Sequence, residues 1–356
     1  MREPVFLQRL LDDSGDLMVD VLLDAGPCRS FWIGSTVRQR ERQMKVAAVQ
    51  MSARLADVDH NLERAGALLE RAFGQGCEMV ILPEFFPSAV AFHPDMAGVA
   101  MPLEGPALEL MAGAARKHGG YVGGSFICSK GVDNYNTWVL LSPDGSRWMH
   151  DKDQPTMWEN CWYVAGSDDG VLETPIGNVG VGMCWELVRA RTVRRLRGKV
   201  DLLVGGSCWW DVPDRAIPIP GKRAASERNM QIMIDTPARM ARLLGAPVVH
   251  AAHAGDFEAG MPMLPGPPYR SHFLGETQVV DARGKVLARL RWQDGEGLAV
   301  ADIEPGRVPP SEEPPSGFWI PGLPWLIRAV WQYQNIHGGL YYRRRRGSNA
   351  GSRGGL

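Results

Sequence analysis

The hydrophobic pattern from Met44 onward alternates short apolar runs with stretches in which apolar residues recur every three or four positions. Short runs are typical of buried strands, and the longer period is typical of amphipathic helices. Strands are predicted at residues 45–51, 78–82, 121–127, 137–141, 146–150, 179–183, 200–205, 247–252 and 298–303, and a hairpin over 278–290. Helices are predicted at residues 59–73, 106–119, 187–197 and 224–244. Because strands alternate with helices and hairpins intervene, the pattern indicates an α/β protein with mixed sheets covered by helices.

The same pattern divides the chain into three parts. Residues 1–43 hold a short apolar piece and a charged RQRERQ stretch, and we expect an N-terminal extension there. Residues 44–305 are predicted to form the compact domain. Residues 306–356 are predicted to be a Pro-rich linker, an aromatic C-terminal extension and a basic tail with a disordered end. Pro321 and Pro324 exclude one long helix across the aromatic part, and Pro237 is expected to kink or split the helix at 224–244.

Composition and charge narrow the possible partners. The chain has 356 residues, of which 45% are hydrophobic and 22% charged, as in globular proteins. The 39 basic and 40 acidic side chains leave a net charge of -1, so nucleic acid or an anionic membrane is not expected as a partner. No apolar run approaches the roughly 18 residues of a membrane span, and no signal-peptide core is present, so we expect a cytoplasmic protein. The six cysteines form no zinc-type spacing, so no metal is expected.

Three polar residues follow predicted strands at positions where an α/β fold exposes reactive groups. Glu84 closes the run Val-Ile-Leu-Pro-Glu, Lys152 lies just past a strand, and Cys184 ends Val-Gly-Val-Gly-Met-Cys before a predicted helix. Each residue alone also fits an ordinary structural role: a cap, a solvated lysine or a buried thiol. A thiol at a helix N-terminus is expected to have a lowered pKa, which favours the thiolate.

Taken together, the segments around these residues resemble the nitrilase, or carbon-nitrogen hydrolase, superfamily over nearly all of residues 44–305. The similar segments, in order, are KVAAVQM, MVILPEFF, YNTWVLLSPDG with HDKDQP, GNVGVGMCWE, DLLVGGSCWW and GETQVVDARGKVLA. The resemblance implies the four-layer α-β-β-α sandwich of the nitrilase type, with two mixed sheets between helix layers. It also implies a Glu–Lys–Cys triad, which corresponds here to Glu84, Lys152 and Cys184.

The resemblance assigns a chemical role to each of these residues. Cys184 would attack an amide or nitrile carbon, Glu84 would accept the thiol proton and later activate water, and Lys152 would stabilise the developing anion. The backbone N–H of Trp185 would be a second donor to that anion. Family members often carry a further Glu soon after the Lys, and Glu159 fits that place, although an exposed loop carboxylate is the alternative. No cofactor is implied.

Several positions depart from the common family patterns. The stretch after Cys184 lacks the Arg-Phe-Pro of many amidases, Leu187 replaces the Asn of nitrile-active members, and His150 replaces the usual Tyr. The leading prediction is therefore an amidase that cleaves a small linear amide to an acid and ammonia or an amine. A nitrilase of the same mechanism and an acyltransferase with an amine acceptor are the alternatives. An intact triad argues against a catalytically silent interaction protein.

Tryptophans are concentrated near the predicted triad. Trp162, Trp185 and Trp209 are predicted to line an apolar pocket for a bulky or aromatic acyl group, although core packing is the alternative for each. The aromatic C-terminal extension holds too many apolar side chains to remain in water. We therefore expect it to pack on its own or a neighbouring subunit of a homo-oligomer.

Overall fold

The computed structural model describes residues 7–11, 17–21, 43–213, 221–260 and 268–353. The chain divides into two units, Met1–Arg42 and Gln43–Leu356. In the first unit, strands β1 (Leu7–Leu11) and β2 (Leu17–Val21) form an antiparallel pair. The rest of the predicted N-terminal extension, apart from Gln43, lies outside the described residues.

The second unit contains the remaining strands and all of the described helices. The strands are β3 (Met44–Met51), β4 (Met79–Ile81), β5 (Met101–Pro102), β6 (Tyr121–Lys130), β7 (Asp133–Leu141), β8 (Arg147–Asp151), β9 (Val171–Thr174), β10 (Gly177–Met183), β11 (Leu202–Ser207), β12 (Val248–Ala259), β13 (Tyr269–Leu274), β14 (Thr277–Val280), β15 (Val286–Leu290) and β16 (Gly297–Ile303). The α-helices are α1 (Val58–Phe73), α2 (Pro106–His118), α3 (Ala190–Leu196), α4 (Lys222–Leu244) and α5 (Trp325–Arg353). Short 3₁₀ helices lie at Pro94–Gly98, Met157–Cys161, Cys184–Val188 and Trp292–Asp294.

The strands of this unit form two halves that are joined between β3 and β12. One half has the order β8-β7-β6-β4-β3, with β16 on β3 and β5 on β6. The other has the order β12-β11-β10-β9, with β13 and β14 on β12 and β15 on β14. A short parallel pairing, Ala252 with Gln50 and His253 with Met51, connects the halves. Parallel and antiparallel pairs both occur in each half, as the sequence predicts for mixed sheets.

Three apolar clusters lie between four layers, which are helices α1 and α2, the two halves of the strands, and helices α3 and α4. Alternate residues of one strand enter different clusters: Val46 and Ala48 of β3 pack in the cluster between the two halves, whereas Ala47 and Val49 pack in the cluster under α1 and α2. The central cluster also takes residues from β10, β11 and β12, such as Val181. A third cluster lies between β11, β12 and the helices α3 and α4. The helix–sheet–sheet–helix arrangement that the resemblance implies is therefore confirmed.

Helix positions differ from the predictions in three places. Helix α3 begins at Ala190 instead of residue 187, because residues Cys184–Val188 form a 3₁₀ helix. Helix α4 continues through Pro237, so of the kink or split expected there the split does not occur, and Met233 and Met240 on either side of the proline are buried. The basic tail, expected to end in disorder, continues α5 as far as Arg353, since arginine favours helix and no proline interrupts it.

Helix α5 begins directly after Pro324, so the aromatic extension is not one long helix, as its prolines predict. Within the described residues, none of the helices combines the length and the apolar character that crossing a membrane requires.

Candidate active site

The three predicted triad residues follow strands whose C-terminal ends lie at the same edge of the sheets. Strands β3, β4 and β6 run parallel, and β8 runs in the same direction because it and β6 are both antiparallel to β7. Strands β10, β11 and β12 are also parallel, and β12 is parallel to β3. Glu84 follows β4, Lys152 follows β8 and Cys184 follows β10. The fold thus brings three residues that are far apart in sequence to one place.

Lys152 lies between two buried carboxylates. Its Nζ donates a hydrogen bond to Glu84 Oε1 at 2.8 Å and another to Glu159 Oε2 at 2.7 Å. All three side chains are almost completely buried. One carboxylate oxygen of Glu84, one of Glu159 and the Sγ atom of Cys184 all lie within 4.8 Å of one another. The structure therefore brings the four predicted catalytic residues together.

Cys184 stands at a strained turn. Its φ angle is 47°, a left-handed conformation that is uncommon for a residue other than glycine. The residue is 3% exposed, and it is the first residue of the five-residue 3₁₀ helix Cys184–Val188. The sharp change of direction after β10 separates the thiol from the strand and turns it toward the carboxylates of the site.

The carboxylate of Glu84 is held by groups that the sequence did not indicate. Asn136 Nδ2 donates to Glu84 Oε1 at 2.9 Å, and the backbone N–H of Cys208 donates to Oε2 at 3.0 Å. The second bond depends on close approach of β11, because a Cβ atom at Gly206 would lie 2.6 Å from the Glu84 nitrogen. Asn136 is a fully buried amide between Tyr135 and Thr137 of β7, and sequence reasoning missed it because polar residues surround it in the chain. The backbone N–H of Cys208 could not be recognised as a donor from the sequence, because every residue except proline carries such a group.

Glu159 lies in the 3₁₀ helix Met157–Cys161, which we call the Glu159 turn. Its Oε2 atom accepts hydrogen bonds from the Thr156 N–H at 2.9 Å and from the hydroxyl of Tyr163, in addition to the bond from Lys152. Its Oε1 atom is buried and has no hydrogen-bond partner among the described residues. The alternative of an exposed loop carboxylate is therefore wrong.

Burial and the three neighbouring charges set the ionisation of the site. Burial raises the pKa of Glu84 to about 7, against the lowering effect of Lys152 and with a further rise from Glu159. Burial acts to lower the pKa of Lys152, but the carboxylates of Glu159 and Glu84 outweigh it and hold that pKa well above its usual value. Lys152 is therefore a permanent cation near neutral pH, whereas Glu84 is poised to exchange a proton.

The expected lowering of the Cys184 pKa by a helix dipole is wrong. Burial raises the pKa of this thiol well above its usual value, the charge of Glu84 raises it further, and Lys152 opposes both. The helix that follows Cys184 is a single short 3₁₀ segment, so its dipole is small against the cost of burying a thiolate. The resting side chain is a thiol, and forming the thiolate requires a base.

A second buried network connects the ends of β8 and β10. Glu186 accepts hydrogen bonds from the N–H groups of Met183, at 2.9 Å, and Asp153, at 3.1 Å, which adjoin Cys184 and Lys152 in the chain. His150, which departs from the family pattern, lies with Nε2 3.3 Å from Glu186 Oε1. Its Nδ1 atom contacts Asp168. Burial acts to lower the pKa of His150, but Glu186 and Asp168 outweigh it and raise that pKa to about 9.

The predicted pocket tryptophans fall into two groups. Trp185 and Trp209 pack in one cluster with Cys184, with their ring centroids 5.6 Å apart. Trp162 packs in another cluster, stacked on Phe92 at 5.7 Å. Trp319, from the C-terminal extension, lies edge-on to Trp185 at 5.3 Å. The structure therefore brings two of the three predicted residues to the thiol and adds one that the sequence did not indicate.

Glu84, Glu159 and Cys184 also have the ligand types and the mutual spacing of a metal site. The ammonium group of Lys152, however, already lies 2.8 Å and 2.7 Å from the two carboxylates. This cation neutralises the charge that a metal ion would otherwise compensate, so the donor set does not fit a resident metal.

The sequence model of the carbon-nitrogen hydrolase family matches residues 45–311. The chain belongs to the carbon-nitrogen hydrolase family. The matched residues include all four predicted catalytic residues, and they end before α5, so the C-terminal helix lies outside the part that the family shares.

Curated relatives of this family member include amidases and nitrilases. The omega-amidase NIT2 of Danio rerio is 33% identical over 158 residues, which cover 41% of this chain and 56% of the relative. Nitrilase 1 of Arabidopsis thaliana is 30% identical over 166 residues, covering 40% of this chain and 47% of the relative. The chain thus spans about half the length of these relatives. Omega-amidase NIT2-A of Xenopus laevis is 31% identical over 201 residues, covering 50% of this chain and 69% of the relative.

Solved structures support the same fold. An amidase from Nesterenkonia sp. AN1 superposes with a TM-score of 0.58 at 22% identity, over 73% of this chain and 92% of the other. The carbon-nitrogen hydrolase superfamily protein XC1258 of Xanthomonas campestris has a TM-score of 0.57 at 22% identity, over 74% of this chain and 91% of the other. At this identity the likeness establishes the architecture and not the substrate.

Proposed function

We propose that this protein is a thiol-dependent hydrolase that cleaves a small linear amide to an acid and ammonia or an amine through a thioester on Cys184. The observation that carries the proposal is the position of Lys152, bonded to both Glu84 and Glu159 beside the Cys184 thiol. A base, a cation and a nucleophile are the three groups that acyl transfer to a thiol requires.

The reaction starts from a protonated thiol. Glu84 accepts the proton of Cys184 as Sγ attacks the carbonyl carbon, and the oxyanion is stabilised by Lys152 and by the backbone N–H of Trp185. Glu84 then donates that proton to the nitrogen, the C–N bond breaks, and ammonia or an amine leaves a thioester on Cys184. Water attacks the thioester with Glu84 as base, the C–S bond breaks, and the acid departs as the thiol is restored. A pKa of about 7 suits Glu84 to both directions of proton transfer.

The unpaired oxygen of Glu159 favours an amide over a nitrile. Its Oε1 is a buried acceptor without a hydrogen-bond donor among the described residues, and such an oxygen is costly to leave unpaired. An amide substrate carries N–H donors that can satisfy it, whereas a nitrile carries none. The nitrilase alternative keeps its support from relatives such as Nitrilase 1 of Arabidopsis thaliana.

The acyl group is proposed to be bulky or aromatic. Trp185 and Trp209 pack in the same apolar cluster as Cys184, and Trp319 closes on Trp185 from the C-terminal extension. If these rings line the acyl site, aromatic or long-chain amides should exceed acetamide in kcat/KM by more than about tenfold, as burying a few extra methylenes allows. A preference for acetamide or formamide would show that the rings pack elsewhere.

A substrate panel tests the proposed function. The purified protein is incubated with amides, carbamoyl compounds and nitriles, and ammonia and acid are both measured. We expect turnover of amides, with a single acyl adduct on the Cys184 peptide by mass spectrometry when the substrate is slow. Hydroxamate formed with hydroxylamine in excess of acid would instead favour an acyltransferase, and turnover of nitriles alone would favour a nitrilase.

A further inference from the structure

The C-terminal helix α5 packs directly on the Glu159 turn, although it lies beyond the residues that the family shares. Asn335 and Gly338, which are three positions apart and therefore on one helix face, make the contacts. Asn335 Oδ1 accepts a hydrogen bond from the Met157 N–H at 2.9 Å and another from Asn160 Nδ2 at 3.0 Å. One helix side chain thus binds the turn on both sides of Glu159 in sequence.

Gly338 allows the helix to come this close. A Cβ atom at this position would lie 2.7 Å from the Cβ of Asn160 and 3.2 Å from the nitrogen of Cys161. Contacts of 2.7 Å are too short for carbon atoms, so any larger residue must push the helix and the turn apart. The neighbouring Gly339 has no heavy atom within 4 Å of its Cβ position, so it provides a matched control on the same helix.

The turn itself is strained where the helix holds it. Met157, the first residue of the Glu159 turn, has a φ angle of 53°, which is uncommon for a residue other than glycine. Such a conformation persists where surrounding contacts determine it. The bond from the Met157 N–H to Asn335 is one of these contacts, and it comes from a residue 178 positions away.

We propose that Asn335 and Gly338 of α5 are positioning residues for the hydrolase, which fix the Glu159 turn so that the carboxylate of Glu159 stays on Lys152. The inference rests on the proposed function, since it takes Glu159 as part of the catalytic site. Glu159 Oε2 bonds Lys152 Nζ at 2.7 Å, and Lys152 bonds Glu84, so movement of the turn reaches the lysine and the base within two contacts. A displacement of about 1 Å at such a site can lower turnover by up to about a hundredfold.

The test compares two adjacent glycine variants. Gly338→Ala should lower kcat by about tenfold or more, because a displaced Glu159 carboxylate moves Lys152 and, through it, Glu84. Gly339→Ala should stay within about twofold of the wild type, while its melting temperature is unchanged or higher, since alanine favours helix over glycine. Equal kcat values in the two variants would overturn the inference.

A second pair tests the polar contact and remains informative if Gly338→Ala does not fold. Asn335→Ala removes the acceptor for Met157 and Asn160, so kcat should fall, whereas Asn335→Asp keeps an acceptor oxygen and should retain most of the activity. Tyr342→Phe is the control on the same helix, because its hydroxyl bonds Asn134 and Asp133 instead of the Glu159 turn. An Asn335→Ala enzyme with wild-type kcat would contradict the proposal.

A readout without turnover separates this inference from the proposed function. Alkylation of the Cys184 thiol by iodoacetamide is followed against pH, because thiolate formation depends on Glu84. Glu159 raises the pKa of Glu84, so a displaced Glu159 should move the alkylation midpoint to lower pH in Gly338→Ala and not in Gly339→Ala. That shift in a protein that hydrolyses nothing on the panel would sustain the positioning role and refute the proposed function. Identical alkylation midpoints in Gly338→Ala and Gly339→Ala, in a protein that hydrolyses amides, would refute the positioning role and leave the proposed function intact.

Discussion

The Glu84 carboxylate meets opposing demands at the scale of a single residue. In the proposed reaction it has to be ionised to accept the thiol proton, yet it is fully buried. The ammonium group of Lys152, the amide of Asn136 and the N–H of Cys208 stabilise the carboxylate, while burial and the charge of Glu159 destabilise it. The destabilising effects prevail, burial first among them, and they raise the pKa of Glu84 to about 7.

This pKa predicts the pH dependence of the reaction. In the proposed reaction the deprotonated form of Glu84 is the base, so kcat/KM should rise with pH through a midpoint of about 7 and then remain level. Activity should accordingly be lost as the pH falls below about 6. The profile is measured with a neutral amide, so that the substrate does not titrate. Glu84→Gln should be inactive at every pH, and a midpoint near 4.5 in the wild type would contradict the assignment.

Two buried cysteines near Glu84 differ in how they contact it. Cys184 offers its thiol, whereas Cys208 contributes its backbone N–H, and the Cys208 sulfur accepts a hydrogen bond from the Val90 N–H at 3.2 Å. Replacement of Cys208 by alanine keeps the N–H. We therefore expect Cys184→Ala to abolish turnover and Cys208→Ala to leave substantial activity.

The two variants are compared by kcat after melting curves have shown that both are folded. The acyl adduct of a slow substrate should be found on the peptide that carries Cys184. An adduct on Cys208, or full activity in Cys184→Ala, would overturn the assignment of the nucleophile. Lys152→Ala should also lose turnover, for the separate reason that the oxyanion loses its cation.

At the scale of elements, the Glu186 carboxylate joins the ends of β8 and β10. It accepts a hydrogen bond from the backbone N–H of Met183, next to Cys184, and another from that of Asp153, next to Lys152. The Nε2 atom of His150 lies 3.3 Å from Glu186 Oε1. Arg195 is also within 3.4 Å of Glu186, so the buried carboxylate is surrounded by positive groups. The relative position of the nucleophile and the lysine thus depends on a network that touches neither reacting atom.

The charge on His150 predicts how stability changes with pH. The folded-state pKa, about 9, lies above the unfolded value of about 6.5. Its stabilising effect, on the order of 3 kcal/mol, is therefore fully present below pH 6.5 and is lost as the pH rises through about 9. His150→Gln should lower the unfolding free energy most at pH 6, with the difference from wild type narrowing by pH 9.5. Denaturant unfolding at several pH values measures this, and a pH-independent difference would contradict it.

At the scale of the whole molecule, α5 presents two faces. One face packs on the Glu159 turn and on Asp133 and Asn134, whereas the opposite face exposes apolar side chains. The exposed apolar residues are Trp325, Val330, Tyr333 and Ile336. Ile336 is 61% exposed and Trp325 is 71% exposed, which is unusual for side chains of this kind. We expect this face to contact another copy in a homo-oligomer.

Deletion of residues 311–356 should lower the assembly size or the solubility, and light scattering after size exclusion measures both. Because the deletion also removes the support of the Glu159 turn, the point variant Ile336→Lys is the sharper test. It should reduce the assembly size and leave the melting temperature within a few degrees. A fully soluble assembly of unchanged size in the deletion variant would refute the prediction.

Much of the fold follows from local patterns. The strands and helices between residues 44 and 305 lie close to their predicted positions, because burial of alternate or every third to fourth residue is a local property of the chain. The start of α3 after Cys184 differs from the prediction, and α4 continues through Pro237 without a split, since a strained turn and helix packing depend on neighbours that are distant in sequence. The packing of α5 against the Glu159 turn also depends on residues that are distant in sequence, and local patterns did not predict it.

For the site, the sequence by itself determined which groups are available: Glu84, Lys152 and Cys184 at three strand ends, with Glu159 nearby. Tertiary structure alone decided their state. Burial raised the pKa of the Cys184 thiol where the following helix had suggested a fall, and a backbone N–H from β11's end held Glu84. Desolvation and backbone donors depend on what surrounds a group in space, and no local pattern of residue types records them.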